Sequence, residues 1–346
     1  MPKYSFVIPV FNCAQYLEEC VDSILGQTIN DYEILLIDDG STDGSGPLCD
    51  KLRADDDRIR VFHKENGGAA SARNLGIEQA EGQYLLFVDG DDTITPDCLE
   101  TVEPVLSEKS CLPVFGICFD YWRDAKIVRS DVCSVAFPGF HTVTELAENL
   151  PACFEDNVLS SACNKVFPAK LLRDNMLRFP ESMTLYEDFA FVLRCLPHFQ
   201  RIHVIPQALY HYRNLNESGH LNQRVADLDR LQNNLAALNR TLCEFGAQTG
   251  QIKGSADILA NLYMMLLEQH LLIQKPGIAA LREKLPIYIG EQGFQTALRS
   301  GAMLDAGKHK LLTQIERGEY RSIWLRFAGK RWKRKLRGAA KRLLGR

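Results

Sequence analysis

The sequence predicts an α/β fold: a mostly parallel sheet flanked by helices, followed by a helical C-terminal region. Three observations carry this. Over the first hundred residues, four short apolar runs alternate with segments of helical spacing, the pattern of βαβ units. Each run ends in a polar or glycine-rich turn, as strands do where a parallel sheet lines a ligand crevice. Beyond about Leu221 only helical periodicity remains, in a stretch reaching Phe245 and another over Ala256 to Gln274.

The elements follow in order. Ser5 to Val10 (SFVIPV) reads as the first strand. Ala14 to Gln27, apolar at Leu17, Cys20, Val21, Ile24 and Leu25, reads as the first helix. Glu33 to Asp38 is a second strand, Asp43 to Arg53 a helix, Ile59 to His63 a third strand, Ala69 to Ala80 a helix and Tyr84 to Asp89 a fourth strand. Further on, 114–122 reads as a strand, 168–175 and 187–196 as helices, and 201–205 and 208–213 as two short strands. This gives a first domain over 1–218, a helical region over 219–320 and a basic tail over 321–346, the boundary falling near 215–222.

Composition narrows the class. The chain has 346 residues, 46% hydrophobic and 24% charged, as in ordinary globular proteins. No apolar run approaches the roughly 20 residues that span a bilayer, and the N-terminus lacks a signal-peptide pattern. The eleven cysteines contain no Cys-x-x-Cys pair, so reduced core thiols are expected rather than a structural zinc site. A cytoplasmic protein is the expectation. The net charge of −4 conceals an asymmetry: residues 321–346 carry eleven Lys and Arg and no acid, leaving 29 basic against 44 acidic residues before them. Apolar positions Trp324, Ala328, Trp332, Leu336, Ala339, Ala340, Leu343 and Leu344 fall near helical spacing in that tail, and basic amphipathic helices with tryptophan lie in membrane interfaces. A solvated terminal helix and a nucleic-acid tail are the other readings of the same charge.

The strand ends hold the chemistry. QYLLFVDGDD (83–92) places Asp89, Asp91 and Asp92 at the end of a buried strand, where like charges repel and raise at least one pKa. Either the turn is solvated or a divalent cation, which prefers oxygen ligands, offsets the charge. After the first strand stands PVFNCAQ, with no G-x-G-x-x-G, and there is no G-x-x-x-x-G-K-[ST] anywhere. Hydride transfer on a dinucleotide and P-loop chemistry are disfavoured accordingly.

FVIPVFN (6–12), EILLIDDGSTD (33–43), NGGAASARNLG (66–76) and GQYLLFVDGDD (82–92), in that order, resemble the family 2 inverting glycosyltransferases with the GT-A, Rossmann-like fold. NKVF (164–167), YEDFAF (186–191) and YHYR (210–213) resemble the acceptor-side motifs of bacterial members. The resemblance implies a hexosyltransferase-type enzyme that takes a sugar from a nucleotide-sugar, a UDP-sugar above all, to a saccharide or lipid-linked acceptor in cell-surface polysaccharide synthesis. It implies that Asp39 accepts from the uracil N–H, that Pro9 and Phe11 lie at the base, and that Asn66, Arg73 and Asp89 complete the nucleotide and diphosphate contacts. Asp91 is implied as the principal ligand of Mn²⁺ or Mg²⁺, with Asp89 and His211 beside it and Asp92 as a further candidate. Asp188 matches the base that deprotonates the acceptor, with Glu187 next to it. Asn164 and Lys165 are candidates for donor-sugar or acceptor contact, and Arg213 for a bidentate phosphate contact. Lipid-linked acceptors would place the tail on the inner face of the bacterial cytoplasmic membrane. No nucleic-acid partner is expected, and the helical third could pair chains. A nucleotidyltransferase and a non-catalytic nucleotide-sugar-binding module are the alternatives.

Overall fold

The computed structural model describes residues 1–108, 110–123, 126–133, 137–155, 159–214, 227–250, 252 and 254–343, the side chains ending at 333. The expected boundary at 215–222 lies outside the described residues. The chain divides into two compact units, one of residues 1–217 with 241–252 and one of residues 218–240 with 253–346.

In the first unit the strands are β1 (Tyr4–Val10), β2 (Tyr32–Asp38), β3 (Ile59–His63), β4 (Tyr84–Phe87), β5 (Thr93–Ile94), β6 (Cys111–Arg123), β7 (Lys126–Val132), β8 (Gly139–Thr142), β9 (Phe167–Pro168) and β10 (Arg201–Asn214). The helices are α1 (Ala14–Leu25), α2 (Ser45–Asp55), α3 (Ala69–Gln79), α4 (Cys98–Leu106), α5 (Val143–Glu148), α6 (Leu150–Glu155), α7 (Ala169–Asp174) and α8 (Glu187–Cys195). One sheet runs β3-β2-β1-β4-β9. Its first four strands are parallel and β9 is antiparallel. Every residue of β2 and nearly all of β1 are buried, which is why both read as unbroken apolar runs. Gly76 of α3 lets that helix lie directly on β1, since a Cβ there would come within 2.1 Å of a Val7 methyl.

A second sheet runs β5-β10-β6-β7, with β8 also on β10. Its centre is the parallel pair β6 and β10, in register from Arg201 opposite Cys111 to Asn214 opposite Tyr121, with shifts between Ile205 and Tyr210. The sequence expectation of two short strands over 201–213 meets one irregular strand: Pro206 lacks an N–H for the ladder and breaks the apolar alternation there. Helix α2 begins at Ser45, two residues later than expected, because the Asp43 carboxylate accepts from the Ser45 and Ala14 amides instead of joining the helix.

The second unit is helical, comprising the first part of Leu228–Thr249, then Ser255–Ile273, Ile278–Ile289, Gln292–Arg299, Ala306–Glu316 and Tyr320–Leu343. Tyr263 stacks on Phe294 and donates to Glu291 at 2.6 Å, and Glu291 caps the helix Gln292–Arg299 by accepting from the Phe294 amide. Helix Tyr320–Leu343 packs through buried Ile323 and Phe327, with Arg326 and Lys330 on Glu268 and Arg331 on the Leu271 carbonyl. Trp324, Leu325 and Trp332 on the same helix are exposed. The apolar positions from Leu336 onward lie outside the described side chains. Among the described residues no helix is long and apolar enough to cross a membrane.

Candidate active site

Because β1, β2 and β4 are parallel neighbours, their carboxyl ends share one edge of the sheet. Pro9 is part-buried in β1 opposite Ile37, and Phe11 just beyond it is exposed. The first turn is laced to the second. Asn12, at φ 51°, accepts from the Thr42 amide at 2.8 Å, and the Cys13 amide donates to Ser45 Oγ at 3.0 Å.

At the end of β2 two carboxylates stand side by side, each with its own basic partner. Asp38 accepts from Ser41 and lies 2.8 Å from His63 Nδ1. Burial pushes the Asp38 carboxyl up, but those hydrogen bonds outweigh it and hold it below the ordinary range. Asp39 is buried and accepts from Lys64 Nζ at 2.6 Å and from the Gly67 and Gly68 amides at 2.9 and 2.7 Å. The two amides lie at the head of α3, where the helix dipole favours negative charge. Asn66, beside them, is exposed.

The end of β4 is built differently. Arg73 of α3 is buried and divides its guanidinium, Nη2 to Asp89 at 2.6 Å and Nη1 to Asp188 at 2.8 Å. Burial opposes its charge, while Asp188 and then Asp89 outweigh burial and hold its pKa well above the usual value. Asp188 is in the first turn of α8, after Glu187, and its other oxygen accepts from the Ala162 amide at 3.0 Å. Asp91 is part-buried. Asp92 is buried, accepting from the Tyr210 hydroxyl at 2.6 Å and the Arg213 amide at 2.7 Å. Burial, then the charges of Asp91 and Asp89, drive its carboxyl well above the ordinary range.

Strand β10 closes this edge. The Tyr210 hydroxyl also accepts from the Asp89 amide, at 3.1 Å, and so joins both ends of the DGDD turn. Arg213 donates to the Asp91 carbonyl at 2.7 Å and to Glu19 at 2.5 Å, with its guanidinium over the rings of Trp122 and Tyr16. Its Nε and Nη2 thus serve protein groups. His211 pairs in register with Thr93, two residues past Asp91, and its Nδ1 lies 2.8 Å from Asp120. Asp120 also accepts from Cys118 Sγ at 3.5 Å and from Ser130. The ligand atoms of Cys118, Asp120 and His211 lie within 4.8 Å of one another. Burial pushes the Cys118 thiol up to about 11, with Asp120 adding to it, so Cys118 is a protonated donor and fits a hydrogen-bonded triad better than a thiolate site.

Asn164 and Lys165 lie on the loop that reaches Asp188. Asn164 Nδ2 donates to the Phe115 carbonyl at 2.8 Å, and Lys165 Nζ, fully buried, donates to the Ser161 carbonyl and to Asn164 Oδ1.

A divalent cation fits the β4 end. Three carboxylates crowd one turn, with one of them driven toward its neutral form, and a metal relieves such a cluster. Asp89 and Asp91 suit it. His211 suits it too if Nδ1–H donates to Asp120, which leaves Nε2 as the ligand atom. Asp92 suits it least, since both its oxygens are held inside the fold. Sequence reasoning missed four partners here: Lys64, Tyr210, Asp120 and Glu19. Asp120 had left a signal, as a lone carboxylate inside the apolar run 114–122 needs a buried partner.

This edge on a parallel sheet, with a second sheet built on β10, is that of a GT-A fold. Residues 5–138 match the family model "Glycosyl transferase family 2". The chain is 47% identical over 118 residues to glycosyltransferase GlyG of Streptococcus pneumoniae, covering 34% of this chain and 39% of that protein. It is 32% identical over 214 residues to glycosyltransferase EpsJ of Bacillus subtilis, covering 62% and 61%. The chain thus matches less than two thirds of the length of either relative. The crystal structure of residues 1–349 of Staphylococcus aureus TarS, in complex with UDP-GlcNAc, shares the fold with a TM-score of 0.65 at 21% identity, covering 96% of this chain and 92% of that one.

Proposed function

We propose that this chain is an inverting, metal-dependent glycosyltransferase that moves a sugar from a UDP-sugar to a hydroxyl of a saccharide or lipid-linked acceptor in cell-surface polysaccharide synthesis. The observation that carries it is Arg73, which ties the donor-side Asp89 to Asp188 across 2.6 and 2.8 Å contacts. Asp39 takes the uracil, and Pro9, Phe11 and Asn66 border it. Asp89 and Asp91, with His211, would hold Mn²⁺ or Mg²⁺, which would supply Lewis-acid stabilisation of the diphosphate when bound.

In the transfer, the acceptor oxygen forms a bond to the anomeric carbon as the bond from that carbon to the phosphate oxygen breaks. The electron pair leaves with the nucleoside diphosphate, the configuration inverts, and the hydroxyl proton passes to Asp188. Each Asp188 oxygen has a second lone pair beyond those given to Arg73 and Ala162, so the carboxylate can accept that proton while remaining held. Glu187 adds negative charge at the same helix start.

Calorimetric titration with UDP, with and without Mn²⁺, tests the reading. Binding that strengthens with Mn²⁺ in the wild type but not in Asp91→Ala is expected. No binding of UDP, GDP or dTDP under either condition would falsify it. UDP-GlcNAc is the first donor to try, since TarS was crystallised with it.

The helix Tyr320–Leu343 supports a membrane-surface role, because Ile323 and Phe327 bind the helical unit and leave Trp324, Leu325 and Trp332 outward among cations. Sedimentation with phosphatidylglycerol vesicles, weakened by salt and by Trp324→Ala/Trp332→Ala, is the expected result. Equal sedimentation with neutral phosphatidylcholine would remove the electrostatic part of this reading.

A further inference from the structure

We propose that Lys165 is a positioning residue for Asp188, acting through the single peptide group that joins Ser161 to Ala162. The inference rests on the role of Asp188 given above. Lys165 is a fully buried lysine whose ammonium meets two neutral acceptors, Ser161 O at 2.5 Å and Asn164 Oδ1 at 2.8 Å. The Ala162 amide donates to Asp188 Oδ2 at 3.0 Å. Ser161 C=O and Ala162 N–H belong to the same peptide plane, and in a trans peptide they point in opposite directions. A cation therefore grips the oxygen end of that plane while a carboxylate grips its hydrogen end.

This arrangement has two consequences. The plane cannot rotate without breaking one charge-assisted bond, so the Ala162 amide stays aimed at Asp188. Hydrogen bonds in series also polarise one another, so an ammonium on the carbonyl makes the N–H a stronger donor to the carboxylate. The loop is anchored independently of Lys165, through Asn164 Nδ2 on the Phe115 carbonyl and the Phe115 amide on the Asn164 carbonyl. Lys165 is thus not needed to attach the loop to β6; it sets the orientation of one peptide within it.

Burial lowers the Lys165 pKa to about 7, with the charge of Asp188 opposing the fall; the neighbouring Cys163 and Cys195 thiols are kept protonated by burial. Asp188 in turn faces Arg73 from α3, with Glu187 beside it on its own helix. Above neutrality the ammonium end of the relay weakens, which couples the strength of the Ala162 hydrogen bond to pH.

The test is the Ala162 amide resonance in the full chain, followed with pH by heteronuclear NMR in the wild type and in Lys165→Met. In the wild type the resonance should move as Lys165 titrates, a titration tracked separately at the lysine Cε carbon. In Lys165→Met the amide proton should shift upfield, because the cation polarising the peptide has gone, and the lysine-linked step should vanish. Transfer or donor hydrolysis should fall roughly tenfold to a hundredfold, the worth of a charge-assisted hydrogen bond. An Ala162 resonance that behaves identically in both proteins overturns the proposal. So does a wild-type resonance that stays still while Lys165 titrates, a result that needs no variant to fold. The NMR readout is independent of activity. Calorimetry with UDP tests the functional reading separately.

Discussion

The two acidic turns of the first sheet are chemically alike and electrostatically opposite. At the end of β2, Asp38 has His63 and Asp39 has Lys64, with backbone amides filling the remaining positions. At the end of β4, one guanidinium serves both Asp89 and Asp188, and Arg213 turns its donors to Glu19 and the Asp91 carbonyl. The first turn is balanced internally. The second holds excess negative charge, with Asp92 pushed toward neutrality as the sign of it. Carboxylates of the same sequence type therefore do different work: the β2 pair suits hydrogen-bond recognition of a neutral ring, and the β4 group suits a cation.

Substitutions can break this contrast, and their effects rank in size. The largest is expected from Asp188→Asn, which keeps the volume but removes the proton acceptor. Transfer should fall by about 10²- to 10⁴-fold with UDP affinity unchanged, measured by product release and calorimetry on one preparation. An equal loss of UDP affinity would move Asp188 into the donor site. Next come Asp39→Asn and Asp91→Ala as a pair. Asp39→Asn should weaken UDP binding by about tenfold or more whether or not Mn²⁺ is present. Asp91→Ala should weaken it only in the presence of Mn²⁺. If both lose affinity in the same metal-dependent way, the distinction between the turns collapses.

Smaller effects probe the scaffold. Tyr210→Phe strands the Asp89 amide and one Asp92 oxygen in a buried site, which should lower unfolding free energy by about 1–3 kcal/mol in denaturant titration. The smallest effect concerns the balanced turn. Hydrogen bonding to Asp38 raises the His63 pKa against partial burial, with Asp50 adding to it. Stability from that group is complete below the ordinary 6.5 and is lost as pH rises through the elevated value. The Asp38 part is complete above the ordinary 3.8 and is lost as pH falls through its lowered value. His63→Asn should flatten the decline in stability above pH 6.5. The half-exposed His63 ring keeps the change to a few tenths of a kcal/mol.

Much of the first sheet was legible because its strands are buried on both faces. Such strands leave unbroken apolar runs, and the boundaries of β3 were read to the residue. The turns were legible as well, since Asp, Gly and Asn accumulate there for conformational reasons. The second sheet was not. Strand β5 has two residues, β7 is nearly all exposed, and β10 is interrupted by Pro206, so none leaves a clean period. The candidate site divides in the same way. Its acids stood out in the sequence, but their partners did not. Lys64 and Tyr210 become meaningful only once β2 meets β3 and β4 meets β10, contacts that span 25 and 121 positions.

The irregular stretch of β10 bears on how this chain can vary in descent. Pro206, Gln207 and Leu209 fall between the positions that pair with Phe115, Gly116 and Ile117. Gly116 makes the detour fit, as a Cβ there would come within 3.1 Å of the Gln207 oxygen. Residues gained or lost before Ala208 can be absorbed in that slack. A single insertion between Tyr210 and Arg213 would exchange the two faces of the strand, turning the tyrosine hydroxyl away from Asp92 and uncoupling His211 from Asp120. Length drift among relatives should therefore collect on the N-terminal side of Ala208, with the four residues from Tyr210 to Arg213 inherited as an indivisible block.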